Sequence, residues 1–524
     1  MKSVDAVLRS TIRAVAAPAF LLASLACSRS APRTLLITNV QLLDGTGAPA
    51  RSASLRVAGD TIAAVGDLTR ARSDSIVDGA GLTLAPGFVD THSHADRGLA
   101  DHPDALAAVS QGITTVVGGQ DGGSPYPLAA FLDSLERHPA AVNLALYAGH
   151  ATIRAQVLGD GYRRAASEQE VDSMKQLLRR ELAAGALGLS TGLEYAVGHA
   201  ATPAEVLALA QVAADSGGRY ISHIRSEDRG FWAAIGELLN IGKVTGMPVQ
   251  LSHAKLAMRR LWGQADSLIR LLDSARAEGV KVTLDVYPYL YWQSTLRVLF
   301  PEGNYADLRE ARFVLDQVAP AEGLLLGRFD ADTSYVGKTV AQIAALRRRD
   351  AAVTLVALLR ESEGQEESVI GTSMIEADLE RLLAWPWANI CTDGELAGRH
   401  PRGYGSFPRV LGRYVRERRV VPLEEMIRKM TSLAAHNTGL TRRGELRPGW
   451  YADLVLFDPG TVSDRATTSA PQALSTGIAR TWVNGVEVYR AGASTGARPG
   501  QALRRSAAPP HRAATLPHRR AAAL

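Results

Sequence analysis

Strand-like and helical segments alternate along this chain about eight times, and no other feature constrains its fold as strongly. Short runs rich in β-branched residues, such as Thr114–Val117 and Lys281–Val286, predict the strands. Between such runs lie capped helices, one of which opens with the capping box Ser167 to Glu170. Because parallel strands are joined by helical crossovers, the alternation predicts an α/β fold. We expect a (β/α)8 TIM barrel over residues 84–443.

Four other segments depart from this alternation. Residues 34–83 and 444–490 read as short strands and turns, and we expect them to pair into one small β-sandwich. Residues 299–378, approximately, are too long for a loop and predict an inserted subdomain over the site. Residues 495–524 are rich in Ala, Pro and Arg and are expected to form a disordered basic tail.

The N-terminus has the features of an export signal. A basic region precedes the apolar run 14–26, which is too short to span a bilayer as a helix. We therefore predict a signal peptide over residues 1–27. The residues before Cys27 resemble a bacterial lipobox, although Ser24 stands where an aliphatic residue is usual, so Cys27 is a candidate lipidation site. The predicted location is the periplasm, or the membrane as an anchored lipoprotein, of a bacterium.

The charge distribution argues against a nucleic-acid partner. The net charge is +5 and the pI is about 9.2, but six arginines and no acid follow Thr495, and the first 26 residues add +2. The body is therefore mildly acidic, and we expect a small-molecule substrate rather than a polyanion. The two cysteines, Cys27 and Cys391, are too few for a disulfide scaffold or a four-cysteine zinc site.

Histidines and an aspartate stand where several predicted strands end. His92 and His94 follow one apolar strand, and residues two apart on a strand point to the same side. His223, His253 and Asp393 end three further strands. In a barrel these ends converge on one face, where active sites lie. Imidazole and carboxylate ligands suit Zn²⁺ or a similar divalent ion, so we predict a metal site.

The contexts of these residues resemble the amidohydrolase superfamily and, within it, the N-acyl-D-amino-acid deacylase (D-aminoacylase) family. The matching segments are PGFVDTHSHAD, GITTVVGGQDGGS, LSTGLEY, HIRSED, LSHAK, DVYPY, HPRGYGSFPRVLG and GELRPGWYADLVLFDP. They cover nearly all of residues 35–490. The resemblance implies a metal-dependent amidohydrolase that splits the amide bond of N-acyl-D-amino acids, releasing a carboxylate and a D-amino acid, with one or two Zn²⁺ ions.

One ligand position departs from that family. Its second-strand motif carries a cysteine, whereas this chain has Asp121 within Gly119-Gln120-Asp121-Gly122. A carboxylate can replace a thiolate on zinc and can bridge two metals. Because it is a harder ligand, it favours Mn²⁺ more than a thiolate does. Metal identity and number therefore stay open at this stage.

The candidate residues divide into catalytic and substrate-binding groups. The metal would activate a water whose proton Asp393 takes and passes to the leaving nitrogen. Arg225 and Lys255 lie two residues beyond His223 and His253, on the expected inward face, and would reach a substrate carboxylate. The resemblance implies that further contacts come from Tyr195, Lys255, Tyr287, Ser294 and Arg402.

Two other functions remain open from the sequence. One is hydrolysis of a different C–N bond, in a dipeptide with a D-residue or in a cyclic amide, because Asp121 departs from the family. The other is a binding lipoprotein or inactive homologue that keeps the barrel without turnover. The filled His and Asp positions argue against the second. The sequence does not indicate an oligomeric state.

Overall fold

The computed structural model describes residues 34–505. The predicted signal peptide, with Cys27, lies outside these residues. The strands are β1 Thr34–Leu42, β2 Arg51–Ala58, β3 Thr61–Gly66, β4 Asp74–Asp78, β5 Thr83–Pro86, β6 Phe88–Asp90, β7 Ile113–Gly118, β8 Asn143–Leu146, β9 Ala148–Gly149, β10 Gly188–Gly192, β11 Arg219–His223, β12 Val249–Leu251, β13 Val282–Val286, β14 Tyr291–Ser294, β15 Leu324–Phe329, β16 Glu367–Thr372, β17 Ala388–Ile390, β18 Leu454–Phe457, β19 Ile478–Val483, β20 Val486–Arg490, β21 Ala493–Ser494 and β22 Ala502–Leu503.

The α-helices lie mostly between strands. They are α1 Leu106–Val109, α2 Leu128–Arg137, α3 His150–Leu158, α4 Glu168–Ala183, α5 Ala196–His199, α6 Pro203–Asp215, α7 Phe231–Thr245, α8 Ala265–Ala277, α9 Leu308–Phe313, α10 Val340–Arg347, α11 Ala351–Glu361, α12 Glu376–Ala384, α13 Arg402–Arg409, α14 Leu423–Met430 and α15 Ser432–Thr438. Within residues 34–505, no helix combines the length and the apolar character needed to cross a membrane.

Parallel strands form the centre of the molecule. β6, β7 and β8 pair in that order, and β9 to β13 continue through β17 in a second parallel sheet. Beyond the last strand, Asp393 N–H donates to the carbonyl of His92 at 2.8 Å, so the ends of β6 and β17 are also linked. The largest apolar core lies between these strands and their helices. This mixed α/β architecture agrees with the predicted class and brings the strand ends together.

A nine-stranded sheet joins the two ends of the described chain. Its order is β21-β20-β19-β18-β5-β1-β2-β3, with β4 beside β1. The junction is the antiparallel pair β5 and β18, in which Pro86 faces Leu454. Ile37, Leu84 and Trp482 are among the buried residues of its own apolar core. The two regions predicted to associate therefore share one sheet, while their arrangement as a two-layer sandwich stays a prediction.

The inserted region has its own sheet and core. β14, β16 and β15 form an antiparallel sheet, and α9, α10 and α11 lie in the same stretch of chain. Phe329, Val340 and Leu355 are fully buried in a second apolar cluster. The sheet begins at Tyr291, earlier than the predicted start near 299, because β14 supplies its first edge.

The start of the predicted disordered tail is ordered, which corrects the expectation for residues 495–505. β22 pairs in parallel with β8, with Ala502 opposite Leu144. The Arg505 N–H donates to the carbonyl of Gly185 at 2.9 Å, and its guanidinium donates to the carbonyl of Ser216 at 2.5 Å. The composition contains few apolar residues, but backbone pairing and arginine-to-carbonyl hydrogen bonds need none.

Candidate metal centre and substrate cavity

Four predicted ligands meet where β6, β7 and β17 end. His94 Nε2 lies 3.2 Å from both Asp121 Oδ2 and Asp393 Oδ1. His92 Nε2 lies 3.4 Å from Asp121 Oδ1 and 3.5 Å from Asp393 Oδ1. Zinc holds nitrogen and oxygen ligands about 2.0–2.1 Å away, which places tetrahedral ligand atoms roughly 3.3 Å apart. The four measured separations, 3.2 to 3.5 Å, are close to this value, as expected for side chains that can share one ion.

A second group of ligand atoms adjoins the first. His253 Nε2 lies 3.4 Å from Asp121 Oδ1 and 3.0 Å from His223 Nδ1. These three side chains present atoms within 4.8 Å of one another. Asp121 belongs to both groups, so its carboxylate can bridge two ions.

The hydrogen bonding of these groups agrees with a metal site. Both ring nitrogens of His92 and Oδ1 of Asp121 are buried, and each has no hydrogen-bond partner within residues 34–505. Buried polar atoms are almost always partnered, so unpartnered atoms that converge on one point need another explanation. A divalent cation is the partner that imidazole and carboxylate oxygen share.

Three ligands have a left-handed backbone: φ is 55° at Asp121, 34° at His253 and 47° at Asp393. Such angles are uncommon outside glycine and cluster at functional sites. The preceding loop needs Gly119, because a Cβ there would lie 2.2 Å from the carbonyl oxygen of Tyr147. The Gly-Gln-Asp-Gly segment thus turns sharply after β7 and directs Asp121 inward.

Electrostatics favour ionised carboxylates in the centre. Burial opposes the ionisation of Asp121, yet His92 and His253 outweigh it and hold its pKa well below the ordinary value. Burial also opposes the ionisation of Asp393, while Arg402 and His253 hold its pKa below the usual range. The two carboxylates therefore supply negative charge to a cation.

Two further carboxylates lie behind the histidines. Glu194 Oε2 is 3.0 Å from His223 Nε2. Glu227 Oε1 accepts a hydrogen bond from Lys255 Nζ at 2.6 Å and lies 3.2 Å from His253 Nδ1. Lys255, predicted to bind substrate, is thus held beside the metal ligands by Glu227.

Arg402 and Tyr287, both predicted to contact substrate, lie beside Asp393 and carry buried hydrogen-bond donors. Arg402 Nη1 lies 2.5 Å from Asp393 Oδ2, and its guanidinium carbon is 4.9 Å from the centre of the Tyr287 ring. Arg402 Nε and the Tyr287 hydroxyl are buried, and within the described chain neither has a hydrogen-bond partner. Arg402 lines the cavity over the predicted ligands, whereas Tyr287 does not, so the unpartnered N–H of Arg402 is the donor that suits an anionic group there.

Arg225 does not point into the site. Its guanidinium forms two 2.8 Å hydrogen bonds with Glu237 on α7 and donates to the carbonyl oxygens of His199 and Ala201. The prediction assumed that strand alternation continues past His223, but β11 ends at that residue. Glu227 faces the histidines instead.

A cavity of about 850 Å³ opens over the ligands. Tyr195, Lys255, Ser294 and Arg402 line it, as predicted for substrate contacts. One wall comes from the inserted region. Its apolar part consists of Trp292, Val298, Leu299, Phe300, Pro301 and Tyr305, and its charged part consists of Arg297, Arg328, Glu366 and Glu367.

Sequence reasoning missed Glu194 and Asp285. Asp285 on β13 accepts the backbone N–H of His253 and the side-chain amide of Gln250, so it holds the loop after β12. Asp285 lies on β13, and Glu194 lies just after β10, directly before the predicted substrate contact Tyr195. Their position among the strand ends was the available signal.

The family model for the amidohydrolase family matches residues 75–321 and 305–489. The chain is 36% identical to a D-aminoacylase of Alcaligenes xylosoxydans xylosoxydans over 92% of this chain and 99% of that protein. It is 37% identical to an N-acyl-D-glutamate deacylase of the same organism, over 90% and 97% of the two chains.

Solved structures agree in fold and length. One solved structure is that of a D-aminoacylase with a binuclear metal centre, for which activation by one metal and attenuation by the second are described. Its TM-score to this chain is 0.81 at 35% identity. It covers 90% of this chain and 99% of that one. An N-acyl-D-glutamate deacylase from Bordetella bronchiseptica, complexed with zinc and a phosphonate mimic of the tetrahedral intermediate, has a TM-score of 0.80 at 36% identity, with the same coverage.

Proposed function

The chain belongs to the amidohydrolase family and, within it, to the N-acyl-D-amino-acid deacylases, and we propose that it acts on substrates with an apolar group. It is a metal-dependent hydrolase that cleaves the amide bond of N-acyl-D-amino acids, with one or two Zn²⁺ ions as cofactor. The observation that carries this function is the convergence of His92, His94, Asp121 and Asp393, whose ligand atoms lie within 4.8 Å of one another.

The residues of the chain divide the chemistry between them. A divalent ion in this centre would polarise the substrate carbonyl and lower the pKa of a bound water. Asp393 is placed to accept a proton from an attacking water and to deliver it to the leaving nitrogen. Lys255 and Arg402 line the cavity and are placed to hold the substrate carboxylate, which fixes the amide relative to Asp393. The ring of Tyr287 packs beside both cations.

The apolar wall supports the substrate preference. Val298, Pro301 and Tyr305 line the cavity and are half-buried, so they keep apolar surface that a substrate can cover. The neighbouring Arg297 is paired with Glu367, with Nη1 3.4 Å from Oε1. A hydrophobic D-side chain or acyl group would remove this wall from water, which is favourable by roughly 25 cal/mol for each Å² buried.

A substrate panel tests both statements. We expect turnover of N-acetyl-D-leucine and N-acetyl-D-phenylalanine with higher kcat/KM than N-acetyl-D-glutamate or N-acetyl-D-aspartate, and none of the L-enantiomers. Faster turnover of the acidic substrates would refute the apolar preference. Activity confined to D-residue dipeptides or hydantoins would replace the deacylase reaction with the alternative left open by the sequence.

We also propose that the parallel strands close into a (β/α)8 barrel. The supporting observation is the hydrogen bond between Asp393 N–H and the His92 carbonyl, which joins the first and last strand ends.

For the N-terminus, the basic and apolar pattern before Cys27 supports export, with Cys27 as a lipid anchor. Mass spectrometry of the mature N-terminus tests this, because an unprocessed Met1 would refute both processing steps.

A further inference from the structure

Glu194 is placed against a metal-ligand histidine by strand register. Gly192 at the end of β10 is the register partner of His223 at the end of β11. The next residue, Leu193, donates its N–H to the His223 carbonyl at 3.1 Å. Glu194 follows directly, so its side chain emerges beside the imidazole ring of His223.

Both oxygens of Glu194 are engaged. Oε1 accepts the backbone N–H of Glu227 at 3.0 Å, and Oε2 lies 3.0 Å from His223 Nε2. The ring of Tyr195 packs on the same histidine with centres 4.5 Å apart. The side chain of Glu194 is only 10% exposed. The orientation of the His223 ring is therefore held from two sides.

The two nitrogens of His223 face different partners. Nδ1 points to His253 Nε2, 3.0 Å away, on the side of Asp121. A neutral imidazole carries one N–H, and its other nitrogen is the one that can bind a cation. Nδ1 can act as a ligand only if the proton is on Nε2, where Glu194 stands to accept it.

We propose that Glu194 is a positioning residue: it accepts the Nε2–H of His223 and so presents Nδ1, with His253 and Asp121, to a second divalent cation. The inference rests on the proposed two-ion form of the metal-dependent function. Carboxylates behind metal-bound histidines fix the tautomer and raise the basicity of the ligand nitrogen. A cation at Nδ1 also makes the ring N–H a stronger donor, which favours the carboxylate as its acceptor.

Direct coordination by Glu194 fits the contacts less well. Glu194, His223 and Glu227 do lie close enough to hold an ion. However, Glu227 is paired with Lys255 at 2.6 Å, and its Oε2 is 4.0 Å from His223 Nε2. Oε1 of Glu194 is occupied by the Glu227 N–H. The carboxylate is thus arranged as an acceptor of the ring N–H.

The test measures stepwise binding of Zn²⁺ and Co²⁺ to metal-free protein by competition with a chromophoric chelator. Glu194→Leu should weaken one of the two binding steps about 10- to 100-fold, the range for residues behind metal ligands, and leave the other nearly unchanged. Glu194→Gln should weaken the same step less, because an amide oxygen still accepts the ring N–H. Glu181→Gln is the matched control, since Glu181 is also buried but accepts only the Leu128 N–H.

The Co²⁺ spectrum separates positioning from coordination. At saturating Co²⁺, both Glu194 variants should keep the visible bands of the wild type, because the ligand set is unchanged. The inference would be overturned if Glu194→Leu left the affinities of both binding steps unaltered, or if Glu194→Gln altered the visible bands. Two-ion binding by a protein without deacylase activity would leave the inference standing and remove the proposed function.

Discussion

At the scale of single residues, Asp393 contributes to three interactions. It lies within 3.5 Å of both His92 and His94, and its other oxygen is 2.5 Å from Arg402. One oxygen is therefore directed to the metal site and the other to the substrate wall. This geometry explains how one carboxylate can join ion binding to proton transfer.

The substitution Asp393→Asn tests the role of this carboxylate as proton acceptor. The amide side chain would keep the size and one oxygen, so the first ion should stay bound by His92, His94 and Asp121. Loss of a general base costs about 100- to 10,000-fold in kcat. Metal content and kcat are measured on the same sample. A variant with full metal and kcat within about tenfold of the wild type would exclude Asp393 as the base.

Asp121 is the predicted ligand whose hardness would influence which metal ion binds. Asp121→Cys would restore the ligand type usual in the family, and a soft thiolate should shift binding from Mn²⁺ toward Cd²⁺. Its φ of 55° is unfavourable for cysteine by about 1 kcal/mol, so some loss of stability is expected. Competition titrations with the two ions measure the shift, and Asp121→Asn serves as the control without a thiol. An unchanged ion preference would mean that Asp121 is not a ligand.

At the scale of elements, the N-terminus of α4 shows how local sequence stabilises a helix. The Ser167 hydroxyl accepts the N–H of Glu170, and Glu170 Oε2 accepts the N–H of Ser167 at 2.8 Å. Arg164 donates two hydrogen bonds to the same carboxylate, at 2.8 and 2.6 Å. With Arg164 the largest cause, the pKa of Glu170 falls to about 2.

This lowered pKa predicts a pH-dependent contribution to stability. Because the folded pKa lies below the unfolded one, the stabilisation is present above about pH 4.5 and is lost as pH falls toward 2. Glu170→Gln should therefore lower Tm by about 1–2 °C at pH 6, and by progressively less below pH 4.5. Calorimetry across this range measures the difference. Glu168→Gln, in the same turn but outside the capping box, is the control for the loss of a carboxylate at this end of the helix.

At the scale of the whole molecule, the segment after β21 connects the terminal sheet to the parallel strands. Gln501 accepts the Leu144 N–H at 3.0 Å, and Asn484 donates to the Pro499 carbonyl at 2.8 Å. Gly500 is required there, because a Cβ would lie 2.0 Å from the Val142 carbonyl oxygen. The segment thus satisfies backbone groups at the edge of β8 that would otherwise be buried without partners.

Truncation tests this contribution. A chain ending at Arg498 should lose about 2–4 kcal/mol of stability, because several buried polar groups lose their partners. A chain ending at Arg505 is the comparison, since it keeps every contact described for the segment. Thermal unfolding of the two chains is compared. Equal Tm values would show that β22 does not stabilise the parallel strands.

The sequence by itself determined the mixed α/β class, the strand ends and the histidines and aspartates that follow them. These features depend on local periodicity and on the convergence of parallel strand ends, so they can be read without coordinates. Only the tertiary structure decided which way Arg225 points, because its partner Glu237 lies on the next helix. The same holds for Glu194 behind His223 and for β22 beside β8. In each case the deciding partner is brought close by register and packing between separate elements, which local pattern does not encode.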